Sequence, residues 1–314
     1  MELLFITVLL CIASFLYLKI ADHFNIIDKP NNRSSHAEPT IRGGGILFLF
    51  ALWIYFYTSD FNYAFVVLGV TLIAAVSFID DIKTLSSGIR LPFQFIAVLL
   101  VLQQIDLFVL PWWAVVTVTI VGVGFVNLYN FMDGINGITG LYSLAVFSGL
   151  YILNHATQVV DQDLLRCTML SLLVFGFYNF RKKARCFAGD IGSISIALLL
   201  FFIGALLLYT LQAPVLLLFI AVYSADAIIT IVYRKYLGEK IIEPHRHHIY
   251  QKLVDNTKLS HMQVSLLYMC TQLLVNLLVF YGYTKSIEFQ FTMVVGVSVV
   301  FVLLYIVVFR KVTL

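Results

Sequence analysis

Eleven apolar runs, most of them close to twenty residues long, fill this chain of 314 residues. A helix needs about 20 apolar residues to cross ~30 Å of hydrocarbon. The composition agrees, because 61% of the residues are hydrophobic and only 12% are charged. We therefore predict an all-α, polytopic membrane protein with about eleven (10 or 11) transmembrane helices in a single domain, residues 1–314. The runs lie near residues 2–20, 43–59, 63–79, 91–110, 112–131, 137–154, 164–180, 192–211, 214–233, 263–283 and 290–309.

The basic residues predict the orientation of these helices. Cytoplasmic loops of membrane proteins carry an excess of Lys and Arg. If the N-terminus lies outside, only Arg166 and Lys285 fall on the outer side, and the other basic residues lie inside or at the edge. The net charge of +3 is then explained by basic residues on the cytoplasmic face, and it does not indicate a surface that binds nucleic acid. We therefore place the N-terminus outside and the chemistry on the cytoplasmic face.

The polar segment at residues 127–137, N-L-Y-N-F-M-D-G-I-N-G, ends an apolar run. Asn127, Asn130 and Asp133 recur every third residue, so that on a helix they share one broad face. Gly134 and Gly137 then allow backbone to approach a bulky ligand closely. Any one of these residues alone fits an ordinary helix C-terminus. The whole set favours a metal–phosphate site at a membrane surface.

Two adjacent carboxylates, Asp80 and Asp81, stand at the mouth of another apolar run. They repel each other and lose hydration unless a cation or a proton joins them. Lys83 supplies part of that compensation, and a divalent metal or a basic substrate would supply the rest; the alternative is a solvated helix end. Arg90 and Gln94 follow with a spacing of four residues, on one helix face aimed at the same surface.

A fourth acid, Asp190, follows a cluster of basic residues that includes Arg185. Its flanking glycines leave it accessible to a metal, and the start of a helix behind it suits phosphate. Two alternatives stay open. The basic cluster is explained by topology alone, and Asp190 is equally suited to capping the helix, with Ser193 three residues on.

Two polar residues occupy unusual surroundings. Arg42 ends a loop, residues 28–45, whose prolines and glycines exclude a continuous helix. It suits an anionic headgroup or a substrate phosphate, and topology explains it equally well. Asp226 lies about two turns inside its apolar run. An acid at that depth is costly, so it is functional or paired.

The last large loop concentrates histidines. Three interpretations are open for it: a zinc site, a phosphate clamp and a nucleoside–sugar contact. Zinc is the least favoured, because two of the histidines are adjacent and do not point together, and no cysteine lies nearby. The residues concerned are His245, Arg246, His247 and His248.

Taken in order, these blocks resemble the polyprenyl-phosphate N-acetylhexosamine-1-phosphate transferases of glycosyltransferase family 4, the superfamily that also contains the phospho-MurNAc-pentapeptide translocase. The resemblance covers nearly the whole chain. Its motifs are D-x-P-x-x-R-S-x-H…P-T-x-R-G-G-G at 28–45, the Asp80-Asp81 pair with Arg90 and Gln94, N-x-x-N-x-x-D-G-x-x-G at 127–137, G-D-x-G-S at 189–193, Asp226, and H-R-x-H-x-Y-Q at 245–251.

The resemblance implies a reaction. Undecaprenyl phosphate, or another polyprenyl phosphate, attacks the β-phosphorus of a UDP-N-acetylhexosamine and gives polyprenyl-pyrophosphoryl sugar and UMP. This would be the first membrane step of a cell-surface polysaccharide, such as the O-antigen of lipopolysaccharide, at the bacterial inner membrane. The resemblance also implies Mg²⁺ or Mn²⁺, and a homodimer is considered as the assembly. A lipid phosphate has a second pKa of about 6, so we favour direct attack over a covalent aspartyl-phosphate.

The resemblance also implies roles for single residues. Asp80 and Asp81 would place or deprotonate the lipid phosphate, while Asp190, together with Asp133, would bind the metal. These four acids form the predicted catalytic set. The residues expected to bind substrate are Arg42, Arg90, Asn127, Asn130, Arg185, Asp226, His245, Arg246, His247 and His248.

Two departures separate the chain from the pentapeptide translocases. Asn136 stands where they carry an acid, and the last loop lacks their triple histidine. Both features favour the enzymes that start other surface glycans. The alternative from another class is a proton-coupled transporter with a relay of buried acids. We disfavour it, because transporters place such groups near the midplane of a repeated architecture, and this chain shows no repeat.

Overall fold

The computed structural model describes residues 2–30, 38–240 and 246–313. Helices account for most of these residues, and a two-stranded antiparallel sheet, β1 (Ile27–Asp28) with β2 (Thr40–Ile41), is the sheet they contain. The helices are α1 Glu2–His23, α2 Ile46–Thr58, α3 Ala64–Ile82, α4 Ser87–Gln104, α5 Trp112–Phe131, α6 Ile138–Thr157, α7 Gln162–Asn179, α8 Gly189–Leu211, α9 Ala221–Tyr236, α10 Ile249–Asn256, α11 His261–Gly282 and α12 Ile287–Thr313. Two 3₁₀ segments, Leu107–Val109 and Pro214–Ile220, precede α5 and α9. The all-α prediction is confirmed.

The apolar runs and the helices correspond. Every predicted run overlaps one helix longer than ten residues, and α10 is the additional short helix. Within the described ranges, eight helical segments are long and apolar enough to cross a membrane: α1, α3, α4, α5, α8, Pro214–Tyr236, α11 and α12. Helix α2 is apolar but has only 13 residues. The chain is therefore a multi-pass membrane protein, while the number of spans and their orientation stay predictions.

Helix α8 lies at the centre of the bundle. It packs against α2, α3, α4 and α5. In its most apolar 18-residue stretch 72% is buried, compared with 6% in the corresponding stretch of α12 at the rim. Apolar side chains cover all sides of α8, as expected of a helix that other helices surround. The first turn of α8, which carries Asp190, therefore opens at the middle of one end of the bundle.

Glycines bring α2 into close contact with the start of α8. The N–H groups of Gly44 and Gly45 donate to the carbonyls of Phe187 and Ala188, at 2.8 and 3.0 Å. A Cβ on Gly192 would lie only 2.7 Å from the Cα of Gly45, so neither position has room for a side chain. This contact places Arg42, which directly precedes the glycines, beside α8.

The sequence predicted one continuous transmembrane helix at residues 214–233. The structure shows a change of helix type within this run instead. It starts as a 3₁₀ segment, Pro214–Ile220, and becomes α-helical in α9. At this change, Gln272 of α11 donates to the carbonyl of Leu218 (3.0 Å) and accepts from the N–H of Val222 (3.4 Å). Backbone groups in lipid need such partners, so a polar side chain on α11 makes the break possible.

Replacing Gln272 with leucine is expected to destabilise the protein. The side chain also accepts from Tyr142 and donates to Asn276, and interhelical hydrogen bonds in membranes contribute about 0.6 kcal/mol each on average. We expect a loss of about 1–3 kcal/mol, since buried groups are also left without partners. Thermal unfolding in detergent measures it. The matched control is Gln103→Leu at an exposed position; equal melting temperatures for the two variants would contradict the prediction.

Candidate active site

Three carboxylates and two arginines meet at the start of α8. Asp80 and Asp81 end α3, Arg90 lies in the first turn of α4, Arg42 follows β2, and Asp190 is the second residue of α8. Four separate segments of the chain thus bring five of the predicted site residues together. If all three carboxylates are ionised, the cluster carries one negative charge in excess.

Asp190 lies between the two arginines. Its Oδ1 is 3.3 Å from Arg42 Nη2, and its Oδ2 is 3.3 Å from Arg90 Nη1. The other two pairs are tighter: Arg42 Nε lies 2.7 Å from Asp81 Oδ1, and Arg90 Nη1 lies 2.8 Å from Asp80 Oδ2. Each arginine therefore has its own carboxylate, and Asp190 holds the looser, bridging position.

Asp81 holds the first turn of α8, and with it Asp190, in place. Its side chain is fully buried, and its oxygens accept from the N–H groups of Asp190 (2.9 Å) and Ile191 (3.1 Å). A carboxylate at these orphan N–H groups caps the helix. Asp190 is therefore not the cap, which was one interpretation of the sequence. With 17% of its side chain exposed, Asp190 is the acid here that a ligand can reach, and Asp81 holds it in place.

The two arginines are the reachable cations of the cluster, with 32% of the Arg42 side chain and 27% of the Arg90 side chain exposed. Burial lowers the pKa of Arg42, but Asp81 and Asp190 outweigh it and raise this pKa above its usual value. Arg90 Nε is buried and has no hydrogen-bond partner among the described residues. Two guanidinium groups held side by side suit the oxygens of a phosphate or diphosphate.

The end of α5 adjoins the cluster but does not form one polar face. Asn130 Oδ1 accepts from Ser193 Oγ of α8 at 2.6 Å. Asn127 instead pairs with Gln94 through two side-chain hydrogen bonds, at 2.6 and 3.2 Å. The shared face predicted for residues 127–133 is wrong at its end, because α5 stops at Phe131.

Asp133 therefore lies in the loop between α5 and α6. Its Oδ1 accepts from Thr139 Oγ1 at 2.6 Å. Burial raises the pKa of Asp133 to about 6, so that this acid changes charge near neutral pH. An acid tuned in this way is typical of sites that handle ions or protons.

The two glycines after Asp133 are required by contacts and backbone geometry within the protein. A Cβ on Gly134 would overlap the hydroxyl of Tyr250, and this hydroxyl donates to the carbonyl of Phe131 at 3.1 Å. Gly137 has a φ of +84°, a conformation that favours glycine. The prediction that Gly134 makes room for a ligand is therefore wrong, since Tyr250 occupies that space.

The histidine loop forms three separate contacts. Arg246 makes a two-pronged ion pair with Asp255, at 2.7 and 3.0 Å, and His247 Nε2 lies 3.0 Å from Glu239. His248 Nδ1 lies 3.2 Å from the buried Asp226. Of the other predicted residues, His245 lies outside the described residues, and Arg185 is exposed. Within the described ranges no three His, Cys, Asp or Glu side chains are grouped to hold a metal.

Comparison with known proteins adds a family. Residues 63–210 match glycosyl transferase family 4. A probable undecaprenyl-phosphate N-acetylglucosaminyl 1-phosphate transferase of Bacillus subtilis is 25% identical over 80% of this chain and 76% of that protein. The decaprenyl-phosphate N-acetylglucosaminephosphotransferase of Mycolicibacterium smegmatis is 26% identical over 90% of this chain and 81% of that protein. A phospho-N-acetylmuramoyl-pentapeptide-transferase of Enterococcus faecalis is 32% identical, but over only 40% of each chain.

Over residues 63–210, just under half of its length, this chain matches glycosyl transferase family 4. The segment that matches the family carries eight of the predicted site residues: Asp80, Asp81, Arg90, Asn127, Asn130, Asp133, Arg185 and Asp190. Arg42, Asp226 and the histidine loop lie outside the matched segment. The structure nevertheless places Arg42 inside the cluster.

Members of family 4 are generally metal-dependent, and the cluster fits a hard divalent cation in one specific way. Asp190 offers a reachable carboxylate, and three ionised carboxylates against two arginines would leave one negative charge for a cation to neutralise. The described residues alone do not provide three grouped ligands. Mg²⁺ typically takes one or two carboxylates and completes its coordination with substrate phosphates and water. The donor set therefore fits Mg²⁺ together with a phosphorylated substrate.

Sequence reasoning missed two residues that support predicted site residues. Thr139 supports Asp133, and Tyr268 donates to Asp226 at 2.6 Å. Neither residue belongs to a motif with a chemical signature. Tyr250 stands within the histidine-loop motif, but its place beside Gly134 depends on contacts across more than a hundred residues.

Proposed function

We propose that this enzyme transfers N-acetylglucosamine-1-phosphate from UDP-N-acetylglucosamine to undecaprenyl phosphate or a similar polyprenyl phosphate. An oxygen of the lipid phosphate attacks the β-phosphorus, the bond from this phosphorus to the bridging oxygen breaks, and UMP leaves with the electron pair. The products are polyprenyl-pyrophosphoryl-N-acetylglucosamine and UMP. The match to glycosyl transferase family 4 and the similarity to the Bacillus subtilis and Mycolicibacterium smegmatis transferases support this reaction class.

The single observation that carries the proposal is the bridging position of Asp190 between Arg42 and Arg90. Two phosphorylated substrates must meet here, and phosphoryl transfer depends mostly on positioning and on neutralising charge. The two guanidinium groups supply fixed positive charge. Asp80 holds Arg90 in place and also accepts from the N–H of Leu85, which fixes the turn between α3 and α4.

Asp190 would hold the divalent metal, with Asp133 on the neighbouring loop as a second acid. When bound, Mg²⁺ would neutralise charge on the phosphate oxygens. The chain's own part is to hold each acid in place, Asp190 against two arginines and Asp133 against Thr139. The bond between Asn130 and Ser193 fixes the two segments relative to each other.

The setting of the reaction follows from the same proposal. The enzyme would act at the cytoplasmic face of the bacterial inner membrane and start a cell-surface polysaccharide such as an O-antigen. A homodimer stays a prediction of the sequence that the single chain does not test. The transporter alternative finds no support, because Asp80 and Asp81 are ion-paired with arginines and Asp226 is enclosed by donors from its own chain.

The donor is expected to be a UDP-N-acetylhexosamine without a peptide. Asn136 donates to the carbonyls of Arg181 and Lys182, each at 3.4 Å, and an ionised acid at this position would lose both hydrogen bonds. We expect purified enzyme to use UDP-N-acetylglucosamine, or its 4-epimer or 6-deoxy relatives, at least ~10²-fold better than UDP-MurNAc-pentapeptide, about 2.7 kcal/mol of discrimination. Mass detection of the lipid product over a donor panel measures it. Turnover of the pentapeptide donor alone would refute the assignment.

A further inference from the structure

Asp226 is a buried acid that lies apart from the arginine cluster. It stands in the second turn of α9, inside a segment apolar enough to cross the membrane, and only 4% of its side chain is exposed. An ionised carboxylate at such a position needs strong partners. The sequence suggested that a substrate is one of them.

The chain itself supplies those partners. The donors within reach of the carboxylate are Thr230 Oγ1 (3.2 Å), His248 Nδ1 (3.2 Å), the N–H of Ile249 (3.0 Å), the N–H of Tyr250 (3.3 Å) and Tyr268 Oη (2.6 Å). A carboxylate has about four lone-pair directions, so five donors leave no place for a substrate group. Since a carboxylate only accepts, the hydrogen between it and His248 lies on Nδ1, which fixes the ring.

Three of these donors belong to the start of α10. The first N–H groups of a helix have no partner within the helix, and a negative charge at this position is favourable. From the same turn, the hydroxyl of Tyr250 reaches the carbonyl of Phe131 and fills the space beside Gly134. These two residues flank Asp133 in the chain. The first turn of α10 therefore links Asp226 to the loop that carries Asp133.

We propose that Asp226 is a positioning residue. Its carboxylate seats the first turn of α10 and so holds Tyr250 against the Asp133 loop, without touching a substrate. The kinetic consequence rests on the proposed function, because it requires a nucleotide-sugar donor at that loop. The seating of α10 does not depend on which reaction the enzyme catalyses.

The test compares Asp226→Asn with wild type by two readouts. Asparagine keeps the size but replaces one accepting oxygen with an amino group, which repels the N–H donors. We expect hydrogen–deuterium exchange of peptides within 246–256 to speed up at least ~10-fold. We also expect the KM for the UDP-sugar to rise about 10-fold, while kcat changes less than threefold. A residue that only stabilises the fold would not raise the KM of the folded fraction for one substrate.

Asp161→Asn is the matched control. Asp161 caps the start of α7, at the opposite end of the bundle, and accepts from Tyr55 Oη (2.8 Å) and the N–H of Asp163 (2.9 Å). Its replacement is expected to speed exchange near residues 159–165 and to leave the KM unchanged. If Asp226→Asn does not fold, Tyr268→Phe removes one donor and is expected to raise the KM about threefold.

The outcomes separate the two hypotheses. Unchanged exchange within 246–256 would overturn the positioning role, and so would a fall in kcat at constant KM, which would make Asp226 a direct participant. A third outcome is that Asp226→Asn speeds exchange within 246–256 but the wild-type enzyme transfers no sugar phosphate from a UDP-sugar. This result would uphold the seating of α10 and overturn the proposed function.

Discussion

Replacing Asp190 with asparagine is expected to lower kcat by at least ~10³, equivalent to about 4 kcal/mol of transition-state stabilisation. The carboxylate lies between Arg42 and Arg90, each at 3.3 Å, and it is the reachable acid of the cluster. Asparagine removes the charge that a hard cation needs and turns an N–H group towards one guanidinium. The fold should persist, because Asp81 and not Asp190 caps α8.

Turnover as a function of Mg²⁺ concentration measures this effect. Asp190→Glu is expected to keep a trace of activity and to need more Mg²⁺. Asp163→Asn, at an exposed surface ion pair, is the control for loss of an acid and should run at the wild-type rate. An Asp190→Asn enzyme with near wild-type turnover and unchanged Mg²⁺ dependence would show that Asp190 is not a metal ligand. The metal would then belong to Asp80, Asp81 or Asp133.

Replacing Gly45 with alanine is expected to inactivate the enzyme and to destabilise it. The new Cβ would lie 2.9 Å from the carbonyl oxygen of Ala188 and would overlap the Cα of Gly192. Backbone atoms cannot move aside as a side-chain end does, so α2 and α8 must separate. Overpacking of this kind costs about 1–3 kcal/mol or more. Because Arg42 lies three residues before Gly45, the separation would also move Arg42 away from Asp190.

Gly204→Ala is the matched control for this prediction. Gly204 lies in α8, the helix that Gly45 contacts, and a Cβ there would meet no atom within 4 Å. Alanine in a helix is favoured over glycine by about 1 kcal/mol, so this variant should melt at or above the wild-type temperature and keep its activity. We expect Gly45→Ala to retain less than about 1% of wild-type transfer, the scale of a displacement of about 1 Å at a catalytic group. Equal behaviour of the two variants would show that the contact between α2 and α8 does not determine the site.

The sequence predicted the helices well because each one is signalled locally. An apolar run of sufficient length has few alternatives to a membrane helix. The break before α9 was not predicted, because Gln272, which satisfies its backbone, stands more than fifty residues away from Leu218. A run of apolar letters does not show where such a partner will lie.

The sequence predicted which residues belong to the candidate site but not which partner each of them contacts. Asp80 and Asp81 are identical neighbours in the sequence. Asp80 forms an ion pair with Arg90, whereas Asp81 is fully buried at the start of α8. Asn127 and Asn130 share a spacing, but only Asn130 is bonded to α8. These differences arise from which face of a helix meets which neighbour. Spacing along one helix does not contain that information.

The fate of the β-phosphorus tests the central hypothesis most directly. Purified enzyme in detergent would be given undecaprenyl phosphate, Mg²⁺ and UDP-N-acetylglucosamine labelled with ³²P at the β-position. We predict that the label moves into the lipid fraction and that UMP appears in equal amount. Release of labelled UDP, or label that stays with the water-soluble nucleotide for every UDP-N-acetylhexosamine tested, would contradict transfer of a sugar phosphate.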